Sequence, residues 1–164
     1  MKIGIIGGGK VGCCLAEYLQ NHLVGITAST STKNQELADR FHTSYTATLE
    51  VIEQAEVIFL TLPDRKIMTL ANEIASATKV AGKIFLHCSG SLGLEPLQAL
   101  HEQGAHCGSM HPLQSFAGGA TKLQGVYMAV DGDAIAQAKA NKIVTHLGGN
   151  SFFVPGEERA AYHA

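Results

Sequence analysis

The sequence predicts a doubly wound α/β domain, in which a mostly parallel sheet carries helices on both faces. Short apolar runs rich in Val, Ile and Phe alternate with helical segments along the chain. The runs are nearly continuous instead of alternating in polarity, as strands buried on both faces are. No linker, internal repeat or low-complexity stretch divides the 164 residues, a length at which a fold buries roughly 70% of the surface its unfolded chain exposes.

Taken in order, a strand is expected over residues 2–6, a helix over 10–21 and a second strand over 23–28. A helix over 35–41, a short strand at 44–46 and one or two helical turns over 49–54 follow. Residues 57–62 form the clearest buried strand. The next helix, 66–78, places Ile67, Leu70, Ala71 and Ile74 on one face, and Gly82 separates it from a strand over 83–87. Pro96 opens a helix that reaches Glu102 and stops before Gly104. Strands over 105–110 and 126–130, a helix over 134–147 and a strand over 151–154 complete the series, and a last helix starts at Gly156.

Hydrophobic residues make up 46% of the chain and charged residues 16%, a globular composition. Twelve Lys and Arg face fourteen Asp and Glu without a long run of one sign, which argues against a nucleic-acid partner and for a small molecule. The apolar start Met1–Ile6 gives way at once to glycines, leaving no signal-peptide core, and no apolar run approaches membrane-spanning length. Cys13, Cys14, Cys88 and Cys107 show no framework spacing, so reduced thiols in a cytoplasmic protein are expected. Cys13 and Cys14 read as small helix-packing residues instead of a redox pair.

Ligands of such sheets bind at the carboxyl ends of the strands. There Gly7-Gly8-Gly9-Lys10-Val11-Gly12 fits G-x-G-x-x-G directly behind a strand and before a helix. Gly7 permits the tight turn, Gly9 lets the backbone approach a pyrophosphate, and Gly12 lets the helix pack on the strand, with the first helical amides of Lys10 and Val11 aimed at the phosphates. This predicts a Rossmann-type dinucleotide site. An NAD site carries Asp or Glu about 20 residues further on. Here the second strand ends instead in Ser29, Thr30, Ser31, Thr32 and Lys33, hydroxyls and a cation suited to a 2′-phosphate, so NADP(H) is expected over NAD(H).

With Leu62-Pro63-Asp64, His87-Cys88-Ser89-Gly90 and the segment Gly108–Phe116 added, the chain resembles oxidoreductases that pair a Rossmann-like N-terminal domain with a helical C-terminal domain of uncharacterised function. They are in turn similar to ketopantoate and pyrroline-5-carboxylate reductases and prephenate dehydrogenases. The resemblance implies an NADP-binding domain over residues 1–154, with 155–164 as the start of a truncated or missing helical domain, since Tyr162-His163-Ala164 opens that domain's first helix in the family. It also implies that Leu62 and Pro63 pack along the dinucleotide beside Ser89 and Gly90. The sequence allows a homodimer.

Hydride transfer belongs to a nicotinamide, so the protein must place a small carbonyl, imine or alcohol and move one proton. His111, at a strand end and followed by Pro112, titrates in the right range, and the likeness to prephenate dehydrogenases makes Ser89 its substrate anchor. A conformational role, with His111 holding a backbone carbonyl, stands beside the catalytic one. Asp64 reads as a helix N-cap, and Ser115–Ala120 as a lid or a plain loop. No metal is expected, because His87 and Cys88, like His106 and Cys107, alternate across a strand. The alternative to an oxidoreductase is a non-catalytic dinucleotide-binding module.

Overall fold

The computed structural model describes residues 1–117 and 121–164. The chain opens with β1 (Ile3–Ile6), α1 (Lys10–Tyr18), a 3₁₀ turn at Gln20–His22, β2 (Leu23–Thr27) and α2 (Ser31–Phe41). Then come α3 (Thr48–Gln54), β3 (Val57–Leu60), α4 (Asp64–Ala77), β4 (Ile84–His87), a 3₁₀ turn at Glu95–Leu97 and α5 (Gln98–Glu102). The second half holds β5 (His106–Pro112), β6 (Tyr127–Gly132), α6 (Ala134–His146), β7 (Asn150–Phe153), a 3₁₀ turn at Gly156–Glu158 and α7 (Arg159–His163).

The strands form one sheet in the order β2-β1-β3-β4-β5-β6-β7. All neighbours are parallel except β5 and β6, which run antiparallel with His111 opposite Ala129 and Pro112 opposite Met128. Chain direction along β2-β1-β3 gathers the ends of β1, β2 and β3 at one edge of the sheet, with the glycine loop between the other two.

Every residue of β1, β3 and β4 is buried, and the twofold alternation sends successive side chains into different cores. Val57, Phe59 and Leu86 join Leu15 of α1, Leu37 of α2 and Ile143 of α6 on one face. Ile58, Leu60 and Phe85 join Val51 and Ile52 of α3, Ile67 and Ile74 of α4, and Leu100 of α5 on the other. Each such aliphatic or Phe side chain contributes roughly 1.5–3 kcal/mol when fully buried. The short α3 lies close to the sheet because Gly4 and Gly25 leave room for Val51: a Cβ at Gly4 would come within 2.6 Å of its Cγ1.

The α/β class and the mostly parallel sheet agree with the sequence reading, while several boundaries differ. Residues 44–46 are not a strand. They pass over the face of β2 at Gly25, with Tyr45 packed against its backbone and into the core there, instead of pairing beside the strand. The second helix starts at Ser31, not 35, because the Thr30 hydroxyl caps it by accepting from the Lys33 amide at 3.2 Å. The fourth starts at Asp64, not 66, with Pro63 before it. Asp64 is therefore not the N-cap; its carboxylate accepts from the Ser91 hydroxyl at 2.7 Å. His111 and Pro112 lie inside β5, not after it, since β6 supplies them a pairing partner. The first helix ends at Tyr18, and the buried central strand at Leu60. Part of the expected lid, residues 118–120, lies outside the described residues. No helix among the described residues is long and apolar enough to cross a membrane.

Candidate functional site

The glycine loop is fixed from two sides. Gly7, at φ +129°, donates its amide to the Thr27 carbonyl at 2.8 Å, and its own carbonyl accepts from the Thr61 hydroxyl at 2.7 Å. Only glycine tolerates that φ comfortably. A Cβ on Gly12 would run into the Gly7 carbonyl, so α1 can seat on this turn only through a bare glycine. Gly9 is different: a Cβ there would meet no atom within 4 Å. The space above it is open.

α1 has no side-chain cap, and its first backbone bond is from Cys13 to the Gly9 carbonyl. The amides of Lys10, Val11 and Gly12 thus have no protein acceptor among the described residues, and they sit at the positive end of the helix. Open space over Gly9 and unpaired amides beside it fit the pyrophosphate of a dinucleotide. The exposed Lys10 adds a cation at the same rim.

A cavity of about 430 Å³ opens next to this loop, between the ends of β1 and β2 and the start of α4. Gly7, Thr27, Ser29 and Leu62 line it together with Arg65 and Lys66. Of the residues expected at the 2′-phosphate, Ser29 is in the cavity, whereas Thr30 is occupied as the α2 cap. Ser31 lies in the first turn of α2 and is exposed. Lys33 pairs with Glu36 at 3.5 Å and does not line the cavity. Pro63 is exposed beside it. Arg65, Lys66 and Thr69 line the cavity from the polar side of α4, beside the apolar face that marks this helix in the sequence. Their spacing along one side of that helix, with Arg65 and Thr69 four residues apart, is the signal the sequence offers.

A second group of residues gathers at the ends of β4 and β5. His111 Nδ1 lies 3.0 Å from the Cys88 carbonyl, which can only accept, so Nδ1 carries the proton and the neutral ring leaves a lone pair on Nε2. Burial lowers the His111 pKa, the bond to Cys88 working against it and the nearby His163 and Arg159 with it. Gly90 explains the fit of this ring: a Cβ there would lie 2.7 Å from His111 Nε2 and would strike His163. The His163 ring sits 5.7 Å from His111, and Tyr162 meets it edge-on at 6.2 Å. His111, Gln114, Tyr162 and His163 line a cavity of about 530 Å³.

Ser89 is buried, and its Oγ accepts from the amides of Ser91 at 3.2 Å and Leu92 at 3.1 Å. Its hydroxyl proton has only a long 3.5 Å approach to Ser91 Oγ. The fully buried Arg159 donates to the Ser89 carbonyl at 3.1 Å and to the Ser109 hydroxyl at 2.6 Å, tying α7 to the turn after β4 and to the middle of β5. The structure brings His111, Ser89 and Gly90 together and adds Arg159, Tyr162 and His163, which follow them by some 50 to 70 residues; the Tyr162-His163-Ala164 segment stood out in the sequence, but not its place at this site.

The thiols are ill suited to nucleophilic work. Burial pushes Cys14 up to about 11 and Cys107 up to about 12. Cys13 donates to the Gly8 carbonyl and Cys14 to the Thr121 carbonyl, so the adjacent pair face different partners. No three His, Cys, Asp or Glu side chains among the described residues are grouped to hold a metal.

Comparison with known proteins gives the same picture of the fold. The family described as Rossmann-like domain matches residues 1–112. A provisionally assigned NADP oxidoreductase from Bacteroides fragilis superposes with a TM-score of 0.83 at 21% identity, covering 99% of this chain and 63% of that one. A reductive aminase from Aspergillus terreus, in complex with NADPH and ethyl-5-oxohexanoate, gives 0.75 at 17% identity over 99% and 57% of the two chains. Synechocystis arogenate dehydrogenase gives 0.77 at 15% identity over 97% and 61%. The chain thus spans about three fifths of the length of these structures. No curated protein matches it in sequence.

Proposed function

Because the chain belongs to the Rossmann-like domain family, we propose that it binds a nicotinamide dinucleotide, NADP(H) in preference to NAD(H), as the cofactor unit of an oxidoreductase. The observation that carries this is the open approach over Gly9 beside the unpaired amides of Lys10, Val11 and Gly12. The adenosine end lies in the cavity lined by Thr27, Ser29 and Leu62, where no carboxylate follows β2 to bind a free ribose 2′-hydroxyl. Free thiols at all four cysteines suit a cytoplasmic setting.

The bound nicotinamide supplies hydride transfer to or from a small carbonyl, imine or alcohol. His111 handles the proton. Its Nδ1 is engaged by the Cys88 carbonyl, so the ring is oriented and Nε2 is the atom that takes a proton from an alcohol or, once charged, returns one to a nascent alkoxide or amine. Its lowered pKa keeps that lone pair available at neutral pH. Ser89 anchors the substrate through the hydroxyl proton that its two amide contacts leave over.

Titration of the chain with NADPH and NADH, followed by nicotinamide fluorescence and thermal unfolding, tests the reading. At a hundred times Kd, a ligand of the native state adds about 2.7 kcal/mol, a rise of roughly 5–10 °C in Tm at this size. Selective stabilisation by NADPH supports the proposal. No shift with either nucleotide removes it. Cofactor binding without turnover of any carbonyl, imine or alcohol in a substrate panel leaves a binding module and removes the His111 chemistry.

A further inference from the structure

The cavity beside the glycine loop has two flanks that differ in charge. On the β2 side stand Ala28 and Ser29. On the α4 side stand Arg65, Lys66 and Thr69, with Glu73 two turns further along the helix. Because β1 lies between β2 and β3 in the sheet, these flanks rise on either side of the β1 end and the glycine loop.

Local sequence order would give the 2′-phosphate of NADP(H) to the cation that follows β2, Lys33. The geometry disfavours that residue. Lys33 Nζ is 3.5 Å from Glu36 Oε2, is absent from the cavity wall, and would bring a carboxylate close to a phosphate dianion. Arg65 and Lys66 line the cavity, and among the described residues neither comes within 4.0 Å of a carboxylate. Both also lie in the first turn of the 14-residue α4, whose amino end favours an anion.

We infer that selectivity for a 2′-phosphorylated dinucleotide rests on Arg65 and Lys66, acting with the Ser29 hydroxyl across the cavity, and not on Lys33. A guanidinium can present two parallel N–H donors to phosphate, and the Lys66 ammonium adds a second charge. Ser29 donates from the β2 side. The inference rests on the proposed cofactor site and names its specificity determinants.

The test is the ratio of NADPH to NADH dissociation constants, measured by nicotinamide fluorescence on the full chain for wild type, R65A/K66A and K33A. Competition by 2′,5′-ADP and by 5′-AMP isolates the phosphate. In the double variant the preference for NADPH falls by about tenfold or more while NADH affinity stays within about twofold, and the K33A ratio stays within about threefold of wild type. The NADPH affinity of wild type also weakens more steeply with salt than that of R65A/K66A. Three results overturn the inference while leaving a dinucleotide site: a ratio that collapses in K33A but not in the double variant, equal loss of NADPH and NADH affinity in the double variant, or no preference in wild type. Failure of wild type to bind either nucleotide overturns the proposed function, and this inference with it.

Discussion

His87 Nε2 lies 2.7 Å from the carbonyl oxygen of Gly93, and the ring has no exposure to solvent. The carbonyl accepts, so Nε2 bears the proton, and Nδ1 accepts the Ser89 amide at 3.2 Å. Both nitrogens are satisfied only in the neutral ring. This histidine shapes the turn that carries Ser89 and Gly90, which makes it a structural partner of the site.

Burial lowers the His87 pKa from 6.5 to about 4, although the bond to Gly93 opposes the shift. Between those two values the unfolded chain binds the proton and the folded one does not, so stability rises with pH across the interval. The contribution is complete above pH 6.5 and is lost as pH falls towards 4, on the order of 3 kcal/mol for a shift of this size. Urea unfolding at steps from pH 4 to 7 measures it. The slope flattens in His87→Gln, which keeps a donor for Gly93 but cannot charge; an unchanged slope there would assign the acid loss to other groups.

Gly9 and Gly12 carry opposite predictions. Gly12→Ala places a methyl against the Gly7 carbonyl, forces α1 off the turn and destabilises the fold by about 1–3 kcal/mol. Gly9→Ala meets nothing within 4 Å, so the melting temperature stays within about 2 °C while the methyl occupies the space over the unpaired amides. Nucleotide affinity then drops with stability intact. Thermal melts beside NADPH titrations read both, and a Gly9→Ala protein that binds NADPH like wild type would show that the phosphates do not pass over this loop.

The strands and the glycine loop were legible because their signals are local. Val57–Leu60 is an uninterrupted apolar run, and Gly7, Gly9 and Gly12 stand at fixed offsets behind a strand. Asp64 misled because Asp before a helix has two uses, and the partner that decided between them, Ser91, is 27 residues away. The buried side of the site was invisible for the same reason. Arg159 reaches Ser89 and Ser109 only after the sheet has brought β4, β5 and α7 together, and a lone Arg in the sequence does not announce burial. Lys33 follows β2 in the sequence, and the start of α2 at Ser31 places it one turn from Glu36, 3.5 Å away.

Asp133 joins helix to sheet. Its Oδ1 accepts from the amides of Ile135 and Ala136 as the α6 N-cap, and Oδ2 accepts from Cys107 of β5 at 2.9 Å. Burial alone would raise its pKa, but the Ala136 and Cys107 amides, the nearby His106 and the Ile135 amide together outweigh it and hold the carboxyl below the usual range. Its contribution is thus present above the unfolded carboxylate pKa and lost as pH falls through the lower folded value. Asp133→Ala costs about 1–2 kcal/mol in urea unfolding at pH 7. Asp133→Asn costs less, because its amide oxygen can still cap α6 while its NH2 cannot receive the Cys107 amide. Equal losses in the two variants would put the weight on the Cys107 contact.

His111 separates structure from chemistry in the same way. The neutral ring donates from Nδ1 to the Cys88 carbonyl, and Nε2 is the atom left for a substrate. Asparagine has a donor at about the position of Nδ1 and nothing at Nε2. His111→Asn therefore keeps the Cys88 contact and melts within about 1 °C of wild type, whereas His111→Ala leaves that carbonyl unpaired, loses on the order of 1 kcal/mol and melts some 2–4 °C lower. Both variants bind NADPH like wild type, since the ring is not part of the glycine loop or the adenosine cavity. Nitrogen NMR of the wild type at pH 7.5 shows the proton on Nδ1. A proton found on Nε2 would mean that the ring is not held by Cys88, and the atom proposed to move the substrate proton would then be the wrong one.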